Sequence, residues 1–343
     1  MSDSLLRLGL EQALAQIPRE SNIAVALSGG PDSSALAILA DVWARQHHRT
    51  LHLFHVHHGL QQQADHWIDS VKRLATLLNR ALDIRYVTVD LGAGHGVEGA
   101  ARNARYAAIK SMAAEHDVQA VLLAHHQQDQ AETVLLRLFR GAGVTGLAAM
   151  ARVHQRDGLY WVRPWLDAPR AAILEVLSRF SDQTGWLPVQ DPSNLDERLA
   201  RGALRKSVIP AIERHWPAWR QTLARHAQQS AEADRLLMRF GQQLLLQITV
   251  QTQGAHPVLS LAQWRELEQD EQVLVIRVWL RLAQVQMPTE KRLAELIKQL
   301  RQVHALGHDR GLKWEQRDCT ISCIRGQLHL DAKIAGFEGD DAA

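Results

Sequence analysis

Cysteine is nearly missing from this chain of 343 residues, which carries only Cys319 and Cys323. Two cysteines make no disulfide framework, and one C-x3-C pair has too few ligands for a structural zinc site. Both read as ordinary strand residues in a reducing compartment. Long apolar runs are missing as well. No stretch approaches the roughly 18 residues of a membrane helix, and positions 1–17 contain no signal-peptide core. The chain therefore reads as cytoplasmic, with no membrane partner. One-sided charge is absent too: 39 basic against 37 acidic residues give a net charge of +2, which does not mark the whole molecule as a polyanion binder. What is present is 46% hydrophobic and 22% charged residues, enough for two or three domains with real cores. No internal repeat is visible.

Charge gathers locally instead. Residues 201–226 hold Arg201, Arg205, Lys206, Arg214, Arg220 and Arg225 against the single acid Glu213. Residues 137–170 are also arginine-rich, with Asp157 and Asp167 as their acids. Such patches attract a polyanion even on a nearly neutral molecule, although a solvated basic face would look the same.

Short apolar runs alternate with amphipathic stretches from Ile23 onward. The pattern predicts strands at Ile23–Leu27, Thr50–Val56, Ile84–Val89 and Ala120–Ala124, with helices at Ser33–Gln46, Gln62–Asn79, Glu98–Glu115 and Gln130–Arg140. Repeated strand–helix–strand units build a doubly wound, mostly parallel α/β sheet, whose ligands bind beyond the carboxyl ends of the strands. The alternation fades near Arg163. A helix is expected at Ala168–Arg179, a polar loop at Gly185–Asn194, and a long helix from Pro217, in its first turn, to Gln247. A linker at Gln251–Pro257, helices at Leu261–Leu282 and Thr289–Leu300, and short strands at Gly311–Glu315, Cys319–Ile324 and Gln327–Leu330 follow. The expected organisation is a catalytic domain over 1–215, a mainly helical domain with short terminal strands over 216–335, and a disordered acidic tail over 336–343.

The sharpest motif is Ser28-Gly29-Gly30-Pro31-Asp32-Ser33, directly after the first strand and opening a helix. Paired glycines let the backbone curve closely around a ligand, and the helix N-terminus favours an anion. The loop therefore suits phosphates. It lacks the lysine of a Walker-type loop. An acid, Asp32, sits there instead, which beside phosphates makes sense chiefly through Mg²⁺. Further motifs follow at other strand ends: His55-Val56-His57-His58-Gly59-Leu60, Glu98 through Tyr106, and His125-His126-Gln127-Gln128-Asp129-Gln130-Ala131-Glu132-Thr133. Arg140 through Leu147, Arg163-Pro164-Trp165-Leu166, Asp191-Pro192-Ser193-Asn194 and Arg201 through Pro210 complete the set.

The first string resembles the PP-loop of ATP pyrophosphatases, which have an adenine nucleotide alpha-hydrolase-like fold and cleave ATP to leave AMP on a substrate oxygen. The set together resembles the tRNA-isoleucine lysidine synthetase family, over about residues 22–230 and more weakly to about residue 330. The resemblance implies a reaction in which the wobble cytidine of an isoleucine tRNA with a CAU anticodon is adenylated on the oxygen at carbon 2. Free lysine then displaces AMP. It also implies that Ser28, Gly29, Gly30, Pro31, Asp32, Ser33 and His57 bind ATP and that Asp32 and Asp129 hold Mg²⁺. His125 would meet the α-phosphate, completing a catalytic set of Asp32, His125 and Asp129. Glu132, one turn beyond Asp129, is the candidate for the lysine ammonium, with Asp129 as the alternative. Arg102, Arg105, Arg140, Arg201 and Arg205 are expected to handle phosphates of tRNA or ATP, since a guanidinium fork matches them.

Two positions depart from the family pattern. Gln128 stands where most relatives carry a first acid, and Gly202 follows Arg201 where the family has Asn. The chain also ends early relative to longer relatives with an additional C-terminal domain. Three other readings compete. Replacement of the same cytidine oxygen by sulfur needs reactive cysteines near the ATP site, and none precedes Cys319. A small-molecule amidating ligase leaves the basic segment without a task, and a tRNA-binding protein with a relic ATP site would not need Asp32, His125 and Asp129. The oligomeric state stays open, a homodimer included.

Overall fold

The computed structural model describes residues 2–57, 64–88, 96–189, 198–251, 255–303 and 312–332. They fall into two compact units that divide between Ala231 and Glu232. No helix among the described residues is long and apolar enough to cross a membrane. The expected tail at 336–343 lies outside the described residues.

The first unit runs α1 (Ser2–Leu14), β1 (Asn22–Ala26), α2 (Pro31–Gln46), β2 (Leu51–His57), α3 (Ala64–Leu78), β3 (Ala81–Tyr86), α4 (Gly96–Glu115), β4 (Val118–Leu122) and α5 (Gln127–Phe139). A short α6 (Val144–Leu147), a hairpin of β5 (Val153–Arg156) and β6 (Leu159–Val162), α7 (Arg170–Thr184), α8 (Ala200–Ala203) and α9 (Ile209–His215) follow. A π-helical turn, Leu204–Val208, joins α8 to α9. The sheet order is β3-β2-β1-β4-β6-β5, with every pair parallel except β5 with β6. The mostly parallel, doubly wound sheet expected from the sequence is the one observed.

Burial follows the period-two rule of a strand covered on both faces. On β1, Ile23 and Val25 pack with Leu6 and Leu10 of α1, Leu36 of α2 and Ile173 of α7. Ala24 points the other way, into a cluster with Phe54, Val121, and Ile109 and Met112 of α4. The order reverses on either side of β1, since β2 flanks it on one edge and β4 on the other. That reversal opens a crevice beyond the carboxyl ends of β1 and β4.

The structure adds elements that the sequence pattern did not place. The helix α1 covers the sheet with Leu6, Leu10 and Ala13, all buried. The β5–β6 hairpin turns on Asp157-Gly158, where φ is 51° and 79°. Positive φ at both positions is what a two-residue type I′ turn requires.

A long helix, α10 (Trp219–Ile248), runs across the division of the chain. Pro217 sits just before it instead of in its first turn. The second unit continues with β7 (Thr249–Gln251), β8 (Val258–Ser260), α11 (Leu261–Glu266), α12 (Gln269–Leu282), α13 (Glu290–Gln302), β9 (Lys313–Glu315), β10 (Cys319–Ile324) and β11 (Gln327–Ala332). The single helix expected at Leu261–Leu282 is thus two. Glu268 begins the second, and the Glu271 carboxylate accepts its backbone N–H at 3.1 Å, a capping box that ends one helix and starts the next. The strands make an antiparallel sheet, β7-β8-β11-β10-β9. Cys319, Ile321 and Cys323 share its buried face, neither cysteine is in a disulfide, and burial pushes the Cys323 thiol up.

Candidate active site

The loop after β1 closes through its serines. The Ser33 hydroxyl lies 2.9 Å from the Ser28 hydroxyl, accepts the Ser28 amide at 3.1 Å, and donates to the Gly30 carbonyl at 3.2 Å. Gly29 has φ +88°, and a Cβ there would stand 2.9 Å from Val71 Cγ2. Its carbonyl accepts the Val189 amide at 2.9 Å. Gly30 and Pro31 then launch α2, so Asp32 lies in the first turn at the mouth of the crevice.

The histidine pair leaves β4 and enters α5 from the neighbouring strand end. His126 is buried, and its backbone N–H donates to Asp129 Oδ2 at 3.1 Å. Its ring spans the two acids: Nε2 is 3.3 Å from Asp129 Oδ2 and 3.8 Å from Asp32 Oδ1. His125 is half-buried, and its Nδ1 is enclosed without a hydrogen-bond partner among the described residues. Desolvation, then the charge of Arg163, holds this imidazole well below its usual range; Asp129 opposes them, and Arg102 and Arg201 add to the depression. His125 is therefore neutral at pH 7. Burial alone would raise the Asp129 carboxyl, but His126, His125, Arg201 and the His126 amide outweigh it and leave the group below its ordinary value. Asp129 stays ionised.

Beneath Asp129 lies Glu132, fully buried. Arg205 grips it as a fork, Nε on Oε1 and Nη2 on Oε2, both at 2.8 Å. Arg201 Nε is 3.2 Å from Oε2, and Gln128 donates to Oε1 at 2.9 Å. Arg205 also reaches Asp129 Oδ1 at 3.4 Å. Desolvation disfavours the Arg205 charge, yet the bond and charge of Glu132, with Asp129 and Asp32, raise its pKa overall. Gln128 thus serves this buried acid, so the departure from the family's acid at that position has a structural use.

Ser28 to Ser33, His125, Asp129, Glu132, Arg201 and Arg205 converge on the crevice. Arg102 stacks over Tyr106 at 5.4 Å, near enough to act on His125. His57 is buried at the end of β2, its ring centre 5.0 Å from that of Tyr86. Arg105 and Arg140 are exposed. Arg140 follows the last residue of α5, about 16 Å along the axis from Asp129, and does not join the cluster. Residues 58–60 and 191–194 of the motifs lie outside the described residues.

Two participants escaped the sequence reading. His126 bridges the acids, and Arg170 pairs with Asp32, Nε to Oδ1 at 3.1 Å and Nη2 to Oδ2 at 3.3 Å. Arg170 had a signal. A cation in the first turn of a helix with no acid there opposes the helix dipole, and so calls for a carboxylate from elsewhere.

A Gly-Gly-Pro-Asp phosphate loop at the switch point of such a sheet defines the class of PP-loop nucleotide-binding domains, and the family model of the PP-loop domain matches residues 6–212. The TilS substrate binding domain matches residues 259–329. The tRNA(Ile)-lysidine synthase of Bordetella pertussis is 48% identical over 314 residues, covering 92% of this chain and 97% of its own. That of Methylococcus capsulatus is 34% identical, covering 97% and 73%. The chain belongs to the tRNA(Ile)-lysidine synthase family. Among solved structures, the U34-tRNA thiolase NcsA from Methanococcus maripaludis, with its 4Fe–4S cluster, shares the fold at a TM-score of 0.52 and 16% identity, over 66% of this chain and 78% of its own.

Proposed function

We propose that the protein joins free L-lysine to carbon 2 of the wobble cytidine of isoleucine tRNA with a CAU anticodon, using ATP and releasing AMP and pyrophosphate. The observation that carries this reading is the crevice itself, where the loop carrying Asp32 meets Asp129 across the His126 ring, in a chain of this family. Carbon 2 of cytosine is a poor electrophile, so its oxygen must first become a leaving group. Attack of that oxygen on the α-phosphorus expels pyrophosphate and leaves AMP in place. Neutral His125 would donate to the α-phosphate where charge develops.

The donor set fits magnesium. Two carboxylates at the mouth of a phosphate loop are hard oxygen donors of the kind that ion takes. Asp32 and Asp129 would hold the ion, which neutralises phosphate charge during the attack.

Lysine must then lose a proton, which at pH 7 costs about 4.6 kcal/mol from a pKa of about 10.4. The acids Asp129 and Glu132 would receive its ammonium. Glu132 is already held by Arg205, so the ammonium would take the guanidinium's place, cation for cation, and the buried charge stays compensated. The amine then attacks carbon 2, and AMP departs. Ser28 to Ser33 and His57 would line the ATP site, while Arg102, Arg105, Arg140, Arg201 and Arg205 remain candidates for phosphates of ATP or tRNA. The basic segment 201–226 and the matched substrate-binding domain would grip the tRNA backbone. These substrates meet in the cytoplasm, where we place the protein. Sulfur insertion finds no support, since both cysteines are buried in β10.

The test is to incubate the full chain with ATP, Mg²⁺, labelled lysine and bulk tRNA, then digest the RNA. A lysine–cytidine adduct is expected, and tRNA-dependent pyrophosphate release should persist without lysine. Release without any adduct at saturating lysine would refute the ligation.

A further inference from the structure

The Asp32 carboxylate has both oxygens facing one guanidinium. Arg170 lies across it as a fork, at 3.1 and 3.3 Å. The two residues each sit in the first turn of a helix, Asp32 in α2 and Arg170 at the start of α7. Asp32 suits its position, since an anion there meets the positive end of the helix dipole; Arg170 opposes its own. No acid stands in the first turn of α7, and its N-cap, Pro169, offers no side-chain acceptor. Asp167, just before it, is engaged with Arg152. Arg170 is nonetheless partly open, with 43% of its side chain exposed.

We propose that Arg170 is a phosphate-binding residue that exchanges Asp32 for the β- and γ-phosphates of ATP when a metal ion takes the Asp32 carboxylate. The inference rests on the reading of Asp32 as a metal ligand. A divalent cation on Asp32 would stand beside the guanidinium and repel it. Arg170 would then face the ion and its own helix N-terminus, both positive. Only an anion relieves that arrangement, and a planar guanidinium matches two phosphate oxygens as well as it matches two carboxylate oxygens. The exchange conserves pairing at each stage: Asp32 with Arg170 before loading, Asp32 with metal and Arg170 with phosphate after it. Arg170 thereby screens Asp32 in the empty site and steadies the leaving pyrophosphate in the filled one.

Two equilibrium measurements on the full chain test this without turnover. Mn²⁺ binding without nucleotide is followed by electron paramagnetic resonance, and pyrophosphate binding with Mg²⁺ by calorimetry. Arg170→Gln should bind Mn²⁺ severalfold more tightly, because Asp32 is released, and pyrophosphate about 10-fold or more weakly, because a charge-assisted contact is lost. Arg170→Lys, which keeps the charge but not the fork, should fall between, and guards against a folding defect in the first variant. Unchanged pyrophosphate affinity would overturn the proposal. So would a parallel loss of metal and pyrophosphate binding, which would make Arg170 a brace for Asp32. Asp32→Asn is the separate arm: wild-type Mn²⁺ binding in that variant would sink the metal assignment itself, whatever Arg170 does.

Discussion

Replacing Glu132 by glutamine probes the charge balance beneath the crevice. The carboxylate is fully buried, accepts two hydrogen bonds from Arg205 at 2.8 Å and one from Gln128 at 2.9 Å, and has the Arg201 charge 3.2 Å away. Glutamine keeps the shape but offers one acceptor oxygen in place of two, and no charge. Arg205 would be left with Asp129 at 3.4 Å, and Arg201 with the Thr133 hydroxyl at 3.2 Å. Breaking a buried ion pair by removing one partner costs about 3–5 kcal/mol. Both arginine side chains are 22% exposed, so water recovers part of this and the expected loss is about 2–3 kcal/mol. For a unit of this size each kcal/mol lowers Tm by about 2–4 °C, so its transition should fall by roughly 4–12 °C in calorimetry. The double variant Glu132→Met with Arg205→Met should recover much of the loss, since both charges leave together. A shift under about 2 °C for Glu132→Gln would refute the view that this acid compensates two arginines.

The same Glu132→Gln chain, assayed below its transition, should still release pyrophosphate with tRNA but need roughly 10- to 150-fold more lysine for adduct formation; an unchanged requirement removes Glu132 from lysine binding. Gly29→Ala meets both a φ of +88° and Val71 at 2.9 Å, so about 2–4 kcal/mol of stability should go, read by urea unfolding; a loss under about 0.5 kcal/mol would contradict the strain. His125 and His55 both have folded pKa values depressed first by burial. Below pH of about 6.5 the unfolded chain binds more protons there than the folded chain, so stability drops as the pH is lowered, by up to about 1.4 kcal/mol per pH unit and histidine. His125→Gln should remove one such contribution from unfolding curves between pH 5 and 7 (about the window of that loss), and an unchanged slope would count against it. Neutralising exposed Arg214 and Arg225 should weaken all tRNAs alike and lower the salt slope by up to roughly two units, whereas loss for one tRNA alone would assign the segment to identity reading.

Much of the nucleotide-binding unit was legible because its signals are local. Four strands, the helices between them and the Ser28–Ser33 loop follow from periodicity and from residues adjacent in sequence. The β5–β6 hairpin was equally local, with Asp157-Gly158 between short β-prone runs, but four-residue strands fall below the length at which alternation stands out. Pairings across the chain were not legible. Nothing beside Glu132 announces that Arg205, 73 residues on, will grip it, and from sequence Arg201 and Arg205 read as phosphate contacts or solvated charge, with no sign of the buried acid they meet. Sequence shows which arginines exist. Only the packed fold shows which acids they meet.

The phosphate loop also has a history within each round of synthesis. Its Gly29 carbonyl waits for the Val189 amide, and Asp32 waits for Arg170, 138 residues later. The tie that holds α3 against the same strap, from Trp186 Nε1 to the Ser70 carbonyl, spans 116 residues. At about 5–20 residues per second, roughly 7–28 s separate the emergence of Asp32 from that of Arg170. During that interval a nascent chain carries the loop and its first strands without the strap that seats them. The seating of the loop is therefore completed by the chain's middle third, and a fragment that stops after β6 would keep Ser28–Ser33, His125 and Asp129 but lack the Arg170 and Val189 contacts that seat them.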